Sequence, residues 1–348
     1  MVVLALLPRF YLKMMKAIEF NRYGEPAEVL AVHERPLPEP GKGQVRVRML
    51  ASPVNPSDLL FVRGHYAGVQ PRFPSPVGFE GVGIVDAPGA GVERPVAGQR
   101  VAVINSETGG NWADYAVVPA DALLQIPDDL PEQQVASFFI NPASALLMVR
   151  HVLAVPRGEW LLQSAAGSEL GRMIIRLARH DGIRTINVVR RRESAPELEQ
   201  LGADAVIVST EGPVDQQVRR IVGQEGVRYA IDPVVGDTGT QIYQALGDEG
   251  RMLVYGSLTG EPIRVGADSC FILAGRRILE VFWLGYWFPR LSEAARRQLV
   301  AEIVALMREG ILATSEEAHS FPLDEIVVAV KQAESTGRHG KVLLVPAT

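Results

Sequence analysis

Short apolar runs broken by glycine and proline fill the first third of the chain, and long helical periodicities alternating with compact apolar runs fill the rest. The early runs are Gln44-Val-Arg-Val-Arg-Met-Leu50, Gly81-Val-Gly-Ile-Val85, Arg100-Val-Ala-Val-Ile104 and Asp114-Tyr-Ala-Val-Val118, preceded by a strand pattern in Lys16-Ala-Ile-Glu-Phe-Asn-Arg-Tyr-Gly24. Strands this short between turn residues predict an irregular, barrel-like β domain. From about residue 132 the texture changes. Apolar strands are predicted at 160–163, 185–189, 205–208, 229–232, 250–255 and near 278–281, separated by helices, which is the pattern of a parallel sheet covered on its faces. An amphipathic helix is predicted over 294–309 and a last strand over 341–345. Coming after Phe321-Pro-Leu-Asp324, that strand is expected to return to the first domain, so that the α/β part is an insertion within the β part.

The 348 residues are 47% hydrophobic and 22% charged, the balance of an ordinary folded protein, which excludes disorder as the main state. Lys+Arg number 35 against 40 Asp+Glu, a net charge of −5, so no basic excess drives phosphate-backbone binding and no nucleic-acid partner is expected. The single cysteine, Cys270, can form neither an internal disulfide nor a cysteine-based zinc site, and a reducing compartment, the cytoplasm, fits it. The start, Met1-Val-Val-Leu-Ala-Leu-Leu-Pro8, is too short to span a bilayer and is followed by Arg9 and Lys13, so no membrane partner is expected. It reads as an extended start, a tail, or the remnant of an organelle-targeting segment, which would place the chain in an organelle matrix. The histidines, among them His65, His151, His180, His319 and His339, show no two-on-one-face spacing for a metal.

The clearest chemical signal is Trp160-Leu-Leu-Gln-Ser-Ala-Ala-Gly167-Ser168-Glu169-Leu170-Gly171-Arg-Met-Ile-Ile. An apolar strand runs into small residues and then a helix, an arrangement that brings backbone N–H groups and a helix N-terminus to a pyrophosphate. Gly167 is expected to permit the tight turn and Gly171 to let the first helical turn pack closely on the sheet. The same string also fits a packing turn with no ligand. About 20 residues on, at the end of the next strand, stand Arg190, Arg191 and Arg192. Dinucleotide folds read the adenosine ribose there, and guanidinium groups hold a 2′-phosphate where an acid would accept from a 2′-hydroxyl. The run favours NADPH; a solvated basic loop is the other reading, and the adjoining Glu193 counts against the phosphate.

Gly78-Phe79-Glu80-Gly81-Val82-Gly83 resembles the Gly-His-Glu-Gly segment of zinc-dependent medium-chain alcohol dehydrogenases, with Phe79 where the zinc-binding histidine stands. Asn55-Pro-Ser-Asp58 occupies the region of their first cysteine, so no metal site is expected. The chain thus resembles a zinc-free member of the medium-chain dehydrogenase/reductase superfamily. More narrowly, it is similar to the mitochondrial trans-2-enoyl thioester reductases through Asn55-Pro-Ser-Asp58, Gly64-His-Tyr66, Gly110-Asn-Trp-Ala113, Asn141-Pro142, Gly182-Ile-Arg-Thr-Ile-Asn-Val-Val-Arg190, Tyr255-Gly256 and Phe282-Trp283-Leu284. The likeness runs over nearly the whole chain from Met15.

The resemblance implies a GroES-like domain over 15–140, a doubly wound Rossmann domain over 141–285, and a segment, 286–348, carrying a helix and the return to the first domain. It implies NADPH as cofactor and a homodimer joined through the cofactor domains. Tyr66 matches the catalytic tyrosine, a phenol with an ordinary pKa near ~10 that is protonated at neutral pH and able to donate to a carbonyl or an enolate. Without the resemblance, a loop tyrosine packed under a turn is the plainer reading. Asn55, Trp112 and Trp283 match the substrate pocket. Asn141 and Ser144 match positions near the nicotinamide and its ribose; Tyr255, Gly256, Ser257 and Leu258, with Phe282, Trp283, Leu284 and Gly285, match loops over the nicotinamide end. Lys341 matches a lysine on the far phosphate side. Core packing is the alternative for Phe282 and Trp283.

Two departures bear on function. Glu169 places a carboxylate in the pyrophosphate turn where glycine is usual, which repels phosphate unless it points outward. The middle of Phe282-Trp-Leu-Gly-Tyr-Trp287 also differs, where an acyl chain or pantetheine would pass. The expected activity is NADPH-dependent reduction of a 2-enoyl thioester, free or carrier-bound, by hydride transfer to the β-carbon. A quinone or enone reductase and a non-catalytic NADPH-binding homologue are the alternatives.

Overall fold

The structure, a computed structural model, describes residues 13–66, 68–105, 109–266, 276–315, 317–335, 337 and 340–347. Cys270, His339 and the first twelve residues lie outside them. The chain divides into two compact units, Met1–Phe138 with Ser315–Thr348, and Phe139–Thr314.

The first unit is built on strand alternation. In β3 (Gln44–Pro53), Val45, Val47 and Met49 are buried, whereas Gln44, Arg46 and Arg48 are not. The buried set packs with Val85 of β5 (Glu80–Pro88), Val101 and Val103 of β6 (Arg100–Ile104), Ala116 and Val118 of β7 (Tyr115–Pro119) and Leu123 of β8 (Leu123–Gln125). Period-two patterning with one face in a core fixes register, because a one-residue slip would turn these valines to water. The main sheet runs β15 (Ala318–Pro322), β16 (Lys341–Val345), β3, β5, β6, β8, with β7 also paired to β3. The last strand lies antiparallel to β3, Leu343 opposite Pro53 and Leu344 opposite Ser52. A smaller sheet orders β2 (Ala31–Pro36), β1 (Met14–Phe20) and β4 (Ser75–Pro76).

The second unit is a six-stranded parallel sheet: β9 (Trp160–Gln163), β10 (Arg184–Val189), β11 (Ala205–Val208), β12 (Val227–Asp232), β13 (Leu246–Val254) and β14 (Ile278–Val281). Its order is β11-β10-β9-β12-β13-β14, which counted within the unit is the 3-2-1-4-5-6 order of a dinucleotide-binding fold, reversing direction between β9 and β12. Leu162, Ile186, Ile207, Ala230 and Met252 form its buried centre. Two details depart from the sequence reading. Strand β13 begins at Leu246 instead of 250, with a register shift opposite Val227 and Tyr229. The unit also extends past residue 285 to Thr314: the Glu293–Arg308 helix belongs with it, and Arg176 Nε donates to Ile311 O at 2.9 Å.

Candidate functional site

In the second unit the chain leaves β9 into a turn at the sheet's carboxyl edge, where ligands bind in open α/β sheets. Ala166 N donates to Val188 O (3.3 Å) and Ser168 N to Ala165 O (2.9 Å). Ser168 caps the Glu169–Asp181 helix, its Oγ accepting from Gly171 N at 3.1 Å. The left-handed residue of this turn is Ala165, at φ 48°, and not Gly167 as the sequence suggested. Gly167 instead faces open space: a Cβ added there would meet nothing within 4 Å, room that a pyrophosphate would use. Gly171 is required by close approach to the turn, since a Cβ there would lie 2.6 Å from Ala166 O and 2.7 Å from Ala165 O. A buried amide ladder sets the helix on the sheet, Asn187 Nδ2 donating to Thr185 Oγ1 (2.9 Å) and Gln163 Nε2 to Asn187 Oδ1 (2.7 Å) and Gly171 O (3.1 Å).

At the end of β10, Arg190, Arg191 and Arg192 are all exposed. Arg192 pairs with Glu211, Nε to Oε1 at 2.7 Å and Nη2 to Oε2. Arg190 and Arg191 have no ion-pair partner among the described residues. Glu169 does not point outward: it is 8% exposed and faces Arg172.

At the ends of β9, β12 and β13 lies a cluster of which sequence reasoning named only Tyr255 and missed Ser164 and Asp232. Buried Asp232 accepts from Ser164 Oγ, from Val234 N (3.1 Å) and from Val235 N (2.8 Å). Burial pushes its carboxyl above the usual carboxylate range, while these three donors act the other way. The Tyr255 hydroxyl is buried with no hydrogen-bond partner among the described residues, and burial first, then the nearby Asp232, pushes its pKa up. Gly256 packs on Pro233, Ser257 is exposed and Leu258 N donates to Pro233 O at 2.9 Å. Phe282 is buried, its N–H on Val254 O, as a core residue would be; Trp283, Leu284 and Gly285 are half-buried, and Gly285 lies against the Trp283 ring. Asn141 is half-buried and Ser144 buried in the Ile140–Leu146 helix. The room at Gly167, the orphaned Tyr255 hydroxyl and the two unpaired arginines fit a phosphorylated dinucleotide.

In the first unit, Asn55 precedes the Pro56–Val62 helix and is buried with both ends of its amide in use. Nδ2 donates to Glu80 Oε1 at 2.8 Å and Oδ1 accepts from Lys341 Nζ. Asp58 Oδ2 accepts from Asn55 N (2.8 Å) and Oδ1 from Phe79 N (3.0 Å). Despite these two donors, burial pushes the Asp58 carboxyl up to about 7, with Glu80 adding to the rise. Lys341, matched by resemblance to the phosphate side, is thus buried against Asn55. Tyr66 is half-buried, its ring stacked on Phe79 with centroids 5.3 Å apart and planes at 29°. Trp112 is wholly buried, its Nε1 donating to Pro53 O at 3.1 Å. These residues do not fit zinc. Phe79 offers no donor, and the two nearby carboxylates are taken up by backbone amides and Asn55. Among the described residues no group of three or more His, Cys, Asp or Glu is placed to hold a metal ion, and no helix is long and apolar enough to cross a membrane.

Sequence comparisons align with this division. The alcohol dehydrogenase GroES-like domain family matches residues 41–128 and the zinc-binding dehydrogenase family residues 170–301. The human mitochondrial enoyl-[acyl-carrier-protein] reductase is 32% identical over 321 residues, 91% of this chain and 85% of that protein. A crystal structure from Bacillus thuringiensis, provisionally assigned as an NADPH:quinone reductase, superposes with a TM-score of 0.88 at 30% identity, covering 96% of this chain and 99% of that one. The mycobacterial Rv1454c, solved in complex with NADPH, gives 0.85 at 27% identity, covering 95% and 100%.

Proposed function

The chain belongs to the medium-chain dehydrogenase/reductase superfamily, and from that premise we propose that it is an NADPH-dependent oxidoreductase reducing the carbon–carbon double bond of a 2-enoyl thioester. The observation that carries this reading is the stacking of Tyr66 on Phe79, at the position where zinc-dependent relatives place a metal-binding histidine. A phenol donor stands there in place of a Lewis acid. When bound, NADPH supplies the hydride that reduces the β-carbon. Tyr66 meets the negative charge that builds on the thioester oxygen and gives a proton toward the α-carbon, stabilisation that is felt mainly in the transition state. Phe79 holds the phenol ring, and Asp58, gripping Phe79 N, holds Phe79. The Ser168-capped helix would hold the pyrophosphate, Arg190 and Arg191 the 2′-phosphate, and Asn141, Ser144, Tyr255 and the 256–258 and 282–285 loops the nicotinamide end.

The thioester is supported by the human relative's name, and a quinone acceptor by the name of the Bacillus thuringiensis neighbour. Measured side by side with NADPH, crotonyl-CoA is expected to turn over at least tenfold faster per KM than benzoquinone. The reverse order would make the protein a quinone or enone reductase, and NADPH binding without turnover of either would make it a non-catalytic homologue.

We further propose a homodimer through the cofactor-binding sheet. Strand β14 ends the described strand order and leaves Ile278 39%, Leu279 42% and Val281 73% exposed, the kind of open apolar edge that proteins cover. Sedimentation should give a dimer for the wild type and a monomer for Val281→Lys; an unchanged dimer would move the interface elsewhere.

A further inference from the structure

The Glu169–Asp181 helix opens with a buried carboxylate at the very turn where an anion is to be bound. A helix N-terminus favours one negative charge. A second one beside it, held out of water, is repelled unless a cation compensates it. Arg172, one turn along the same helix and 6% exposed, supplies that cation: Nη1 lies 3.6 Å from Glu169 Oε1 and Nη2 2.9 Å from Glu197 Oε2. Its Nε is buried without an acceptor among the described residues, so the guanidinium carries donor capacity its two carboxylates do not use. Arg176, a further turn on, is near enough to Glu169 to feel its charge and is tied by Nε to Ile311 O and by Nη2 to Ala313 O. The four side chains together are neutral, and removing Arg172 leaves them with one net negative charge beside the turn.

We propose that Arg172 is the counter-ion that makes this turn competent for a dinucleotide pyrophosphate in spite of Glu169, and is thereby a positioning residue for the cofactor. Glu197 lies in the Ala195–Leu201 helix that follows the arginine run, so the same guanidinium also anchors the segment leading out of Arg190, Arg191 and Arg192 to the pyrophosphate turn. The inference rests on the NADPH reading above.

A double-mutant cycle on the full chain, read as NADPH dissociation constants by fluorescence titration, tests it. Arg172→Met is expected to weaken NADPH about tenfold, Glu169→Gln to tighten it about threefold, and Arg172→Met in the Glu169→Gln background to cost less than about threefold, an interaction typical of directly coupled charges. Arg172→Lys, which keeps the charge, should restore most of the affinity. Equal losses from Arg172→Met in the two backgrounds would overturn the counter-ion role in favour of a direct phosphate contact or a purely structural one. If Arg172→Met fails to fold by thermal melting, the Glu169→Gln arm decides alone: affinity unchanged or weakened overturns the proposal. A wild-type chain that does not bind NADPH overturns the cofactor reading itself, whereas tight wild-type binding with no coupling overturns only the role of Arg172.

Discussion

Tyr66→Phe is expected to lower kcat on an enoyl thioester by roughly 10²-fold, about 3 kcal/mol of lost transition-state stabilisation, the usual cost of removing one donor aimed at a developing oxyanion. NADPH affinity should stay within about twofold of wild type, since the proposed role of the hydroxyl is toward the substrate, and the Gly turn and arginines proposed to hold the cofactor are unaltered. The ring itself is kept by Phe, so its stacking on Phe79 survives and the comparison isolates the hydroxyl. Turnover with crotonyl-CoA and cofactor titration measure the two sides. Product stereochemistry at the α-carbon in heavy water separates the two jobs of the phenol: a racemised α-carbon with a small rate loss would make Tyr66 a proton director. A loss well under tenfold with wild-type stereochemistry would remove Tyr66 from the mechanism.

The second large effect concerns the arginine run, which the structure divides. Arg192 is already committed to Glu211 through Nε and Nη2, whereas Arg190 and Arg191 are exposed and have no ion-pair partner among the described residues. Replacing Arg190 and Arg191 together by Ala is therefore expected to raise the dissociation constant for NADPH by about 30-fold or more and that for NADH by less than about threefold, two charge-assisted bonds to a phosphate contributing on the order of 1–3 kcal/mol each before coupling. Arg192→Ala alone should do less. Parallel weakening of both cofactors would remove the 2′-phosphate assignment, since the loss would then lie in something the two share.

Much of this was readable in the chain because buried strands write themselves as compact apolar runs: 100–104, 160–163, 205–208 and 341–345 fall on β6, β9, β11 and β16 residue for residue. The sequence predicts too short a β13 because Gly247-Asp-Glu-Gly250 has turn composition, yet Leu246 pairs with Val227 across an irregular register. At the Gly turn, the residue in the left-handed region is an alanine, and composition directs attention to the neighbouring glycine instead. The Asn55, Glu80 and Lys341 cluster carries no local signal at all, since Asn55 and Lys341 are 286 positions apart. Arg172 is different: its i,i+3 spacing from Glu169 is visible in the string, and helix geometry alone places such a pair on one face. Ser164 and Asp232 meet, with the Tyr255 backbone N–H on Asp232 O, only because β9, β12 and β13 end side by side.

The pairing of β16 with β3 has a consequence for how the chain is made. Domains fold as units during synthesis, the N-terminal one ordinarily first. Here the first unit lacks strands β15 and β16, and Asn55 its ammonium partner, until residues beyond the second unit leave the ribosome. The intervening unit, Phe139–Thr314, has every described strand of its sheet in hand before then. Closing so long a loop adds little thermodynamic burden, about 0.6 kcal/mol for each doubling of length, so the arrangement is tolerable at equilibrium and felt instead as order in time. The cofactor-type unit is expected to take shape on the nascent chain first, and the unit bearing Tyr66 to be completed after it, by β16.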